Sequence, residues 1–118
     1  MPEIPNEEHL YRRLAPHQRN PDGLVNSSAF KRNSEYETRI SVDRASLTTP
    51  QESVGRAGRA GFFLASLLAG GVRELGLAVE PDPLPHNVSH ALIIGDNDKV
   101  LSRKLAAMCT ILPGIEST

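Results

Sequence analysis

The chain predicts a small single α+β domain: three to four short strands, two to three short helices, and an extended polar N-terminal segment. Three observations carry that expectation. Ile40 and Val42 alternate with Ser41 and Asp43, the period-two pattern of a half-buried strand. Thr49-Pro50-Gln51-Glu52 is a capping box with proline at the first helical position, a helix start. His90-Ala91-Leu92-Ile93-Ile94-Gly95 is an unbroken apolar run of strand length. Short strands interspersed with short helices indicate a mixed architecture around one core.

The elements follow in chain order. Residues 1–37 are polar, with Leu10, Tyr11, Leu14, Leu24, Val25 and Phe30 as the main apolar anchors. Residues 10–14 have helical spacing but stop before Pro16, which predicts at most a short turn. Asn20-Pro21-Asp22-Gly23 is a turn signal, because proline presets one turn residue and glycine accepts positive φ. This stretch is expected to lie across the body, pinned by Tyr11, Leu24, Phe30 and Tyr36. The main body, residues 38–112, opens with a strand at Thr38 and continues into the capped helix, which Gly55, Gly58 and Gly61 keep brief. A buried strand over 62–66 and a short helix ending at Leu75, capped by Gly76, come next, although one helix over 62–75 also fits the spacing. Gly70 and Gly71 weigh against the single helix, at about 1 kcal/mol each in a helix interior. Residues 77–80 read as a strand halted by Pro81, Pro83 and Pro85. Asp96, Asn97 and Asp98 offer caps for a helix over 99–109, with Leu101, Leu105 and Met108 on its apolar face. Residues 113–118 form a tail.

Composition sets the limits on function. The chain has 118 residues and a formal net charge of -1, with 13 basic against 14 acidic side chains, no electrostatic excess for nucleic acid or anionic lipid. Aromatic residues make up 4 %, so the core must be aliphatic. Cys109 is the one cysteine, which excludes an intramolecular disulfide and fits a reducing compartment. No apolar run approaches the ~20 residues of a membrane span, and the first residues are acidic and lack the apolar stretch of a secretory signal. A cytoplasmic protein with no cofactor is expected.

The candidate chemistry lies in several clusters. Ser41 and Asp43 share one face of their strand, and His90 opens the apolar strand, so Ser41, Asp43 and His90 are candidate catalytic residues. In that reading His90 is the base and Asp43 its orienter, while the competing reading is a solvated strand face with an Asp43–Arg44 pair. His86 and His90 stand four apart in a loop-to-strand context without special geometry for a metal, and the third ligand would be Asp82 or Asp43. Gly55-Arg56-Ala57-Gly58-Arg59-Ala60-Gly61 lacks the ending of a phosphate-binding loop and reads as a frayed helix end. Arg12, Arg13, Arg44 and Asn87 are candidate binding residues; with Arg19, Lys31, Arg32 and Arg39 the arginines among them make the first half locally positive, which Asp22, Glu35, Glu37 and Asp43 dilute to a mild patch. Cys109 beside Met108 reads as a buried apolar thiol.

Through Ser27-Ser28-Ala29-Phe30-Lys31, Ser41-Val42-Asp43-Arg44-Ala45-Ser46-Leu47-Thr48-Thr49-Pro50, Asp82-Pro83-Leu84-Pro85-His86-Asn87-Val88-Ser89-His90-Ala91-Leu92-Ile93 and Ser102-Arg103-Lys104-Leu105-Ala106, the chain resembles a group of short uncharacterised bacterial proteins. The likeness runs over about residues 10–106; Val88 departs from it, standing where a second proline is common. It implies a compact accessory component encoded beside larger enzymes and supplies no established activity. The expected function is therefore a small accessory or interaction protein working with a larger partner protein, and more a binding protein than an enzyme. The alternative is a small hydrolase or nuclease-like enzyme with His90 as base and Asp43 beside it.

Overall fold

The structure, a computed structural model, describes residues 3–31, 39–96 and 98–118. Tyr36, Arg32, Glu35, Glu37, Thr38 and Asn97, to which the sequence gives roles, lie outside the described residues. The strands are β1 (His9–Leu14), β2 (Arg39–Arg44), β3 (Phe63–Leu68), β4 (Ala78–Pro81), β5 (His90–Ile94) and β6 (Thr110–Glu116). The helices are α1 (Pro50–Gly55), α2 (Ala69–Glu74) and α3 (Lys99–Ala107), and short 3-10 turns occupy Pro16–Gln18, Ser27–Phe30 and Ala45–Leu47. All six strands form one sheet in the order β4-β5-β2-β1-β3-β6, and every pairing is antiparallel. The α+β class holds, with six strands among the described residues where three to four were expected.

The two extra strands have different physical origins. Leu10 and Leu14 stand four apart, a spacing that satisfies both a helical turn and the same side of a strand. The chain takes the strand, and both leucines are wholly buried on one face of β1. Pro16 favours this outcome by holding Ala15 extended at φ -67° and ψ 158°. Thr110–Glu116 carries no alternation, yet it adds an edge strand beside β3, with a register shift between Phe63 and Ala65. Edge strands tolerate the missing donor of Pro113. The sheet thus runs through the first segment, the main body and the tail into which the sequence divides.

Elsewhere local signals hold. Thr49 Oγ1 accepts from the Glu52 N–H at 3.2 Å, closing the expected box at the start of α1. The strand-plus-helix reading of 62–75 is the one observed: β3 runs straight into α2, which ends at Gly76 with φ +85°. Asp98 caps α3 by accepting from the Leu101 N–H at 2.9 Å. In the first segment Phe30 is fully buried and Val25 nearly so, whereas Leu24, an expected anchor, is 63 % exposed because the turn at Asn20–Gly23 directs its neighbour inward instead.

Strand register decides which side chains share a face. Leu10 and Leu14 of β1, Val42 and Ile40 of β2, Ala65 and Leu67 of β3, Val79 of β4, and Ala91 and Ile93 of β5 all enter one aliphatic core. The 3-10 turn at Ser27–Phe30, α2 and α3 close it with Ala29, Phe30, Ala69, Val72, Leu105 and Ala106. The other face carries His9, Tyr11, Arg13, Ser41, Asp43, Ser66, His90 and Leu92. Among the described residues, α1 is the helix that covers part of it, through Ser53.

Gly70 earns its place by closeness rather than flexibility. A Cβ there would lie 2.9 Å from the Asn6 Cβ and 3.1 Å from the Asn6 carbonyl, against which the Gly70 N–H already donates. Gly55, at the end of α1, has no neighbour within 4 Å of such a Cβ. Gly70→Ala is therefore expected to lose about 1–2 kcal/mol of stability through overpacking. Gly55→Ala is expected to gain about 0.5–1 kcal/mol from helix propensity. Urea unfolding of the two variants checks both signs.

Candidate functional site

Asp43 is the buried polar centre of the molecule. Its strand neighbours place it opposite Tyr11 of β1 and His90 of β5, and its side chain is 0 % exposed. One carboxylate oxygen, Oδ2, accepts from Arg13 Nη1 at 3.0 Å, Arg56 Nη1 at 3.0 Å and Ser53 Oγ at 2.7 Å. The other, Oδ1, accepts from Asn87 Nδ2 at 2.8 Å. Asn87 in turn accepts through Oδ1 from the Ser89 hydroxyl at 2.5 Å and the Ser89 N–H at 3.2 Å. Arg13 also donates to the Ser53 carbonyl at 3.1 Å, and Arg56 to Thr48 Oγ1 at 3.0 Å. Burial pushes the Asp43 carboxyl up, but hydrogen bonds from Ser53 and Asn87 and the charges of Arg13 and Arg56 outweigh it, leaving the pKa below the ordinary 3.8. Among the described residues, every fully buried side-chain nitrogen or oxygen has a partner.

A second polar chain runs beside the first, on the uncovered part of the same face. Ser41 Oγ lies 3.1 Å from His90 Nε2. His90 Nδ1 lies 3.0 Å from Asp82 Oδ2 and 3.1 Å from the Asp82 carbonyl oxygen. The Asp82 N–H donates to the His90 carbonyl at 2.9 Å, so the β4–β5 hairpin holds the two residues together through backbone as well as side chain.

Ser41 and His90 meet as expected. Asp43 sits across from His90 in the strand register, but its carboxylate is taken by Arg13, Ser53, Arg56 and Asn87. The residue that faces the His90 ring is Asp82, which corrects the assignment of Asp43 as orienter. The Asp43–Arg44 surface pair is likewise corrected. Adjacent strand residues point to opposite faces, so Asp43 is buried while Arg44 forks onto Glu8 at 3.1 and 2.9 Å. Glu8 also accepts from the Ser46 hydroxyl at 2.7 Å. Burial raises the Glu8 pKa, and the Arg44 and Ser46 bonds overcome it to leave a net lowering from 4.5. Arg12 points to the core face, donating to the Ala29 carbonyl at 2.9 Å and the Ser41 carbonyl at 2.8 Å. Arg13 and Asn87 belong to the Asp43 cluster. Cys109 donates to the Leu105 carbonyl at 3.3 Å, and burial pushes its thiol up to about 12, against a smaller opposing effect of Arg12.

Sequence reasoning missed the parts played by Asp82, Ser53, Arg56 and Ser89. Asp82 had a readable signal. If residues 77–80 and 90–95 form a hairpin, the residues flanking its loop must come together. Ser53 and Arg56 had none, because their meeting with Asp43 depends on which face of the sheet α1 covers. Among the described residues, no three His, Cys, Asp or Glu side chains gather as a metal site would need, and no helix is long and apolar enough to cross a membrane. Comparison with models of known protein families, with curated proteins and with solved structures returned no match.

Removing the Asp43 charge leaves Arg13 and Arg56 facing each other without compensation. Asp43→Ala is expected to cost about 3–5 kcal/mol, read by urea unfolding. The pH dependence follows from the lowered pKa values of Asp43 and Glu8. The unfolded chain binds protons at these carboxyls more readily than the folded one, so their stabilisation is full above roughly pH 5 and is lost as pH falls through the folded values. Acid unfolding of Glu8→Gln is expected to show a shallower limb than that of the parent chain.

Proposed function

We propose that this chain is a small accessory protein that docks a larger protein partner on the uncovered face of its sheet. The observation that carries the reading is the asymmetry of the sheet. One face is closed by α2, α3 and the turn at Ser27–Phe30, while on the other His9, Ser41 and Arg39 are exposed, Tyr11, His90, Leu92 and Ile94 are half-buried, and Leu68 is 43 % exposed. Such a mixture of aromatic, aliphatic and polar side chains matches the make-up of protein interfaces. One side of a body measuring 32 × 31 × 26 Å offers on the order of the ~800 Å² per partner of a standard interface. Both edge strands carry a proline, Pro81 in β4 and Pro113 in β6. That discourages strand addition and favours docking on the face. The near-neutral charge fits a protein partner better than a nucleic acid, and the single thiol fits the cytoplasm. The role is that of a bacterial operon-encoded component acting through a larger enzyme.

The test is affinity capture from the native cells with paired variants. Leu68→Asp combined with Arg39→Glu charges the uncovered face, and Lys104→Glu alters an exposed site on α3 as control. The docking reading expects the first variant to lose the captured partner by at least ~10-fold (about 1.4 kcal/mol), with the control unchanged. Equal capture by both, with both folded, overturns it.

A further inference from the structure

We propose that Ser41 is a nucleophile that accepts an acyl group, with His90 as its base and Asp82 as the residue that sets the His90 ring. This reaches beyond docking and does not depend on it.

His90 Nδ1 faces two oxygens of Asp82, a carboxylate oxygen at 3.0 Å and a carbonyl oxygen at 3.1 Å. Both oxygens only accept, so Nδ1 must be the nitrogen that carries hydrogen. In the neutral ring Nε2 then holds the lone pair, and it points at the Ser41 hydroxyl 3.1 Å away. Ser41 therefore donates its proton toward Nε2, the arrangement that activates a hydroxyl for attack: nucleophile, base, and a third group orienting the base.

The placement is held from several sides. Ser41 sits inside β2, directly opposite Leu92 of β5, and His90 opens β5 two residues away. The Asp82 N–H bonds the His90 carbonyl, which fixes the pair at the root of the hairpin loop. Within that loop Leu84 and Asn87 exchange backbone bonds at 3.0 and 3.1 Å, and the Asn87 amide is anchored on buried Asp43. The buried cluster thus acts on the exposed one through Asn87. Ser41 is exposed, so a reagent can reach it, while the His90 side chain is only 12 % exposed and cannot swing freely.

The class of substrate follows from the open setting. A hydroxyl on a sheet face has solvent around it and gives little help to a poor leaving group. The fitting donor is an activated acyl compound, a thioester or aryl ester, whose thiolate or phenolate departs readily. In the step, Ser41 Oγ bonds to the acyl carbon and the carbon–sulfur or carbon–oxygen bond of the donor breaks. The Oγ proton moves to His90 Nε2 and from there to the departing group. Water completes a cycle by giving a proton to Nε2 as its oxygen attacks the acyl carbon, and Ser41 leaves with that proton.

The probe is p-nitrophenyl acetate with the full chain, followed by p-nitrophenolate release and by intact-mass and peptide mapping. The expected result is one acetyl group on Ser41. Ser41→Ala is expected to lose the adduct. His90→Gln is expected to slow release by ~10²-fold. Asp82→Asn is expected to slow release by ~10-fold or more while unfolding in urea like the parent. Because Ser41 and Asp82 are accessible on the surface, their variants keep the test decisive even if His90→Gln fails to fold. Acetylation confined to lysines, or Ser41 labelling unchanged in Asp82→Asn, overturns the proposal. The reaction needs no partner, so failure here leaves the docking reading standing, and the reverse also holds.

Discussion

A carboxylate with no exposure to water must find its compensation inside the protein, and Asp43 does so by drawing donors from four separate parts of the chain. Arg13 comes from β1, Ser53 from α1, Arg56 from the stretch after α1, and Asn87 from the β4–β5 loop. An isolated buried charge would cost far more than any one of these bonds returns, so the set is conditional on all of its members. Its consequence is specificity of arrangement: α1 must lie on this face of the sheet, and the hairpin loop must fold back to reach it. The second charged fork, Glu8 with Arg44, ties residues preceding β1 to the end of β2 in the same manner.

The cluster also connects the scaffold to the second polar chain. Asn87 belongs to the loop that carries Asp82 and leads into His90, and its side chain reaches back to the buried centre. Ser41 and Asp43 are two residues apart on the same strand face, yet one is exposed and the other wholly buried. The difference arises because α1 and the loop reach over Asp43 and stop short of Ser41. A single strand face is thereby divided into an anchored half and an accessible half.

Much of the fold was legible residue by residue. The capping box at Thr49, the Gly76 stop, the Asp98 cap and the alternation at Ile40 and Val42 each predicted an element that the structure contains. These signals are local hydrogen-bonding or steric effects that act within a few residues. His9–Leu14 was not legible, because the spacing of Leu10 and Leu14 fits a helix and a strand equally well and only the neighbouring strands decide between them. Thr110–Glu116 was not legible either, because it lacks alternation and holds Pro113, whose missing donor only an edge position tolerates. Gly70 and Gly71 read as weaknesses in a helix, whereas Gly70 serves the approach of Asn6 from a distant part of the chain.

The candidate site divides along the same line. Residue types and their spacing alone singled out Ser41, Asp43, Asn87 and His90 as able to carry chemistry, with an aliphatic core behind them. Which of them meet follows from the packing of the strands. Asp43 finds Arg13 thirty residues away and Asn87 forty-four residues away, and His90 finds Ser41 across forty-nine. Those encounters depend on the order and register of six strands. Local propensity sets the direction of a side chain along its own strand; the neighbour it touches is set by which strand the sheet places beside it.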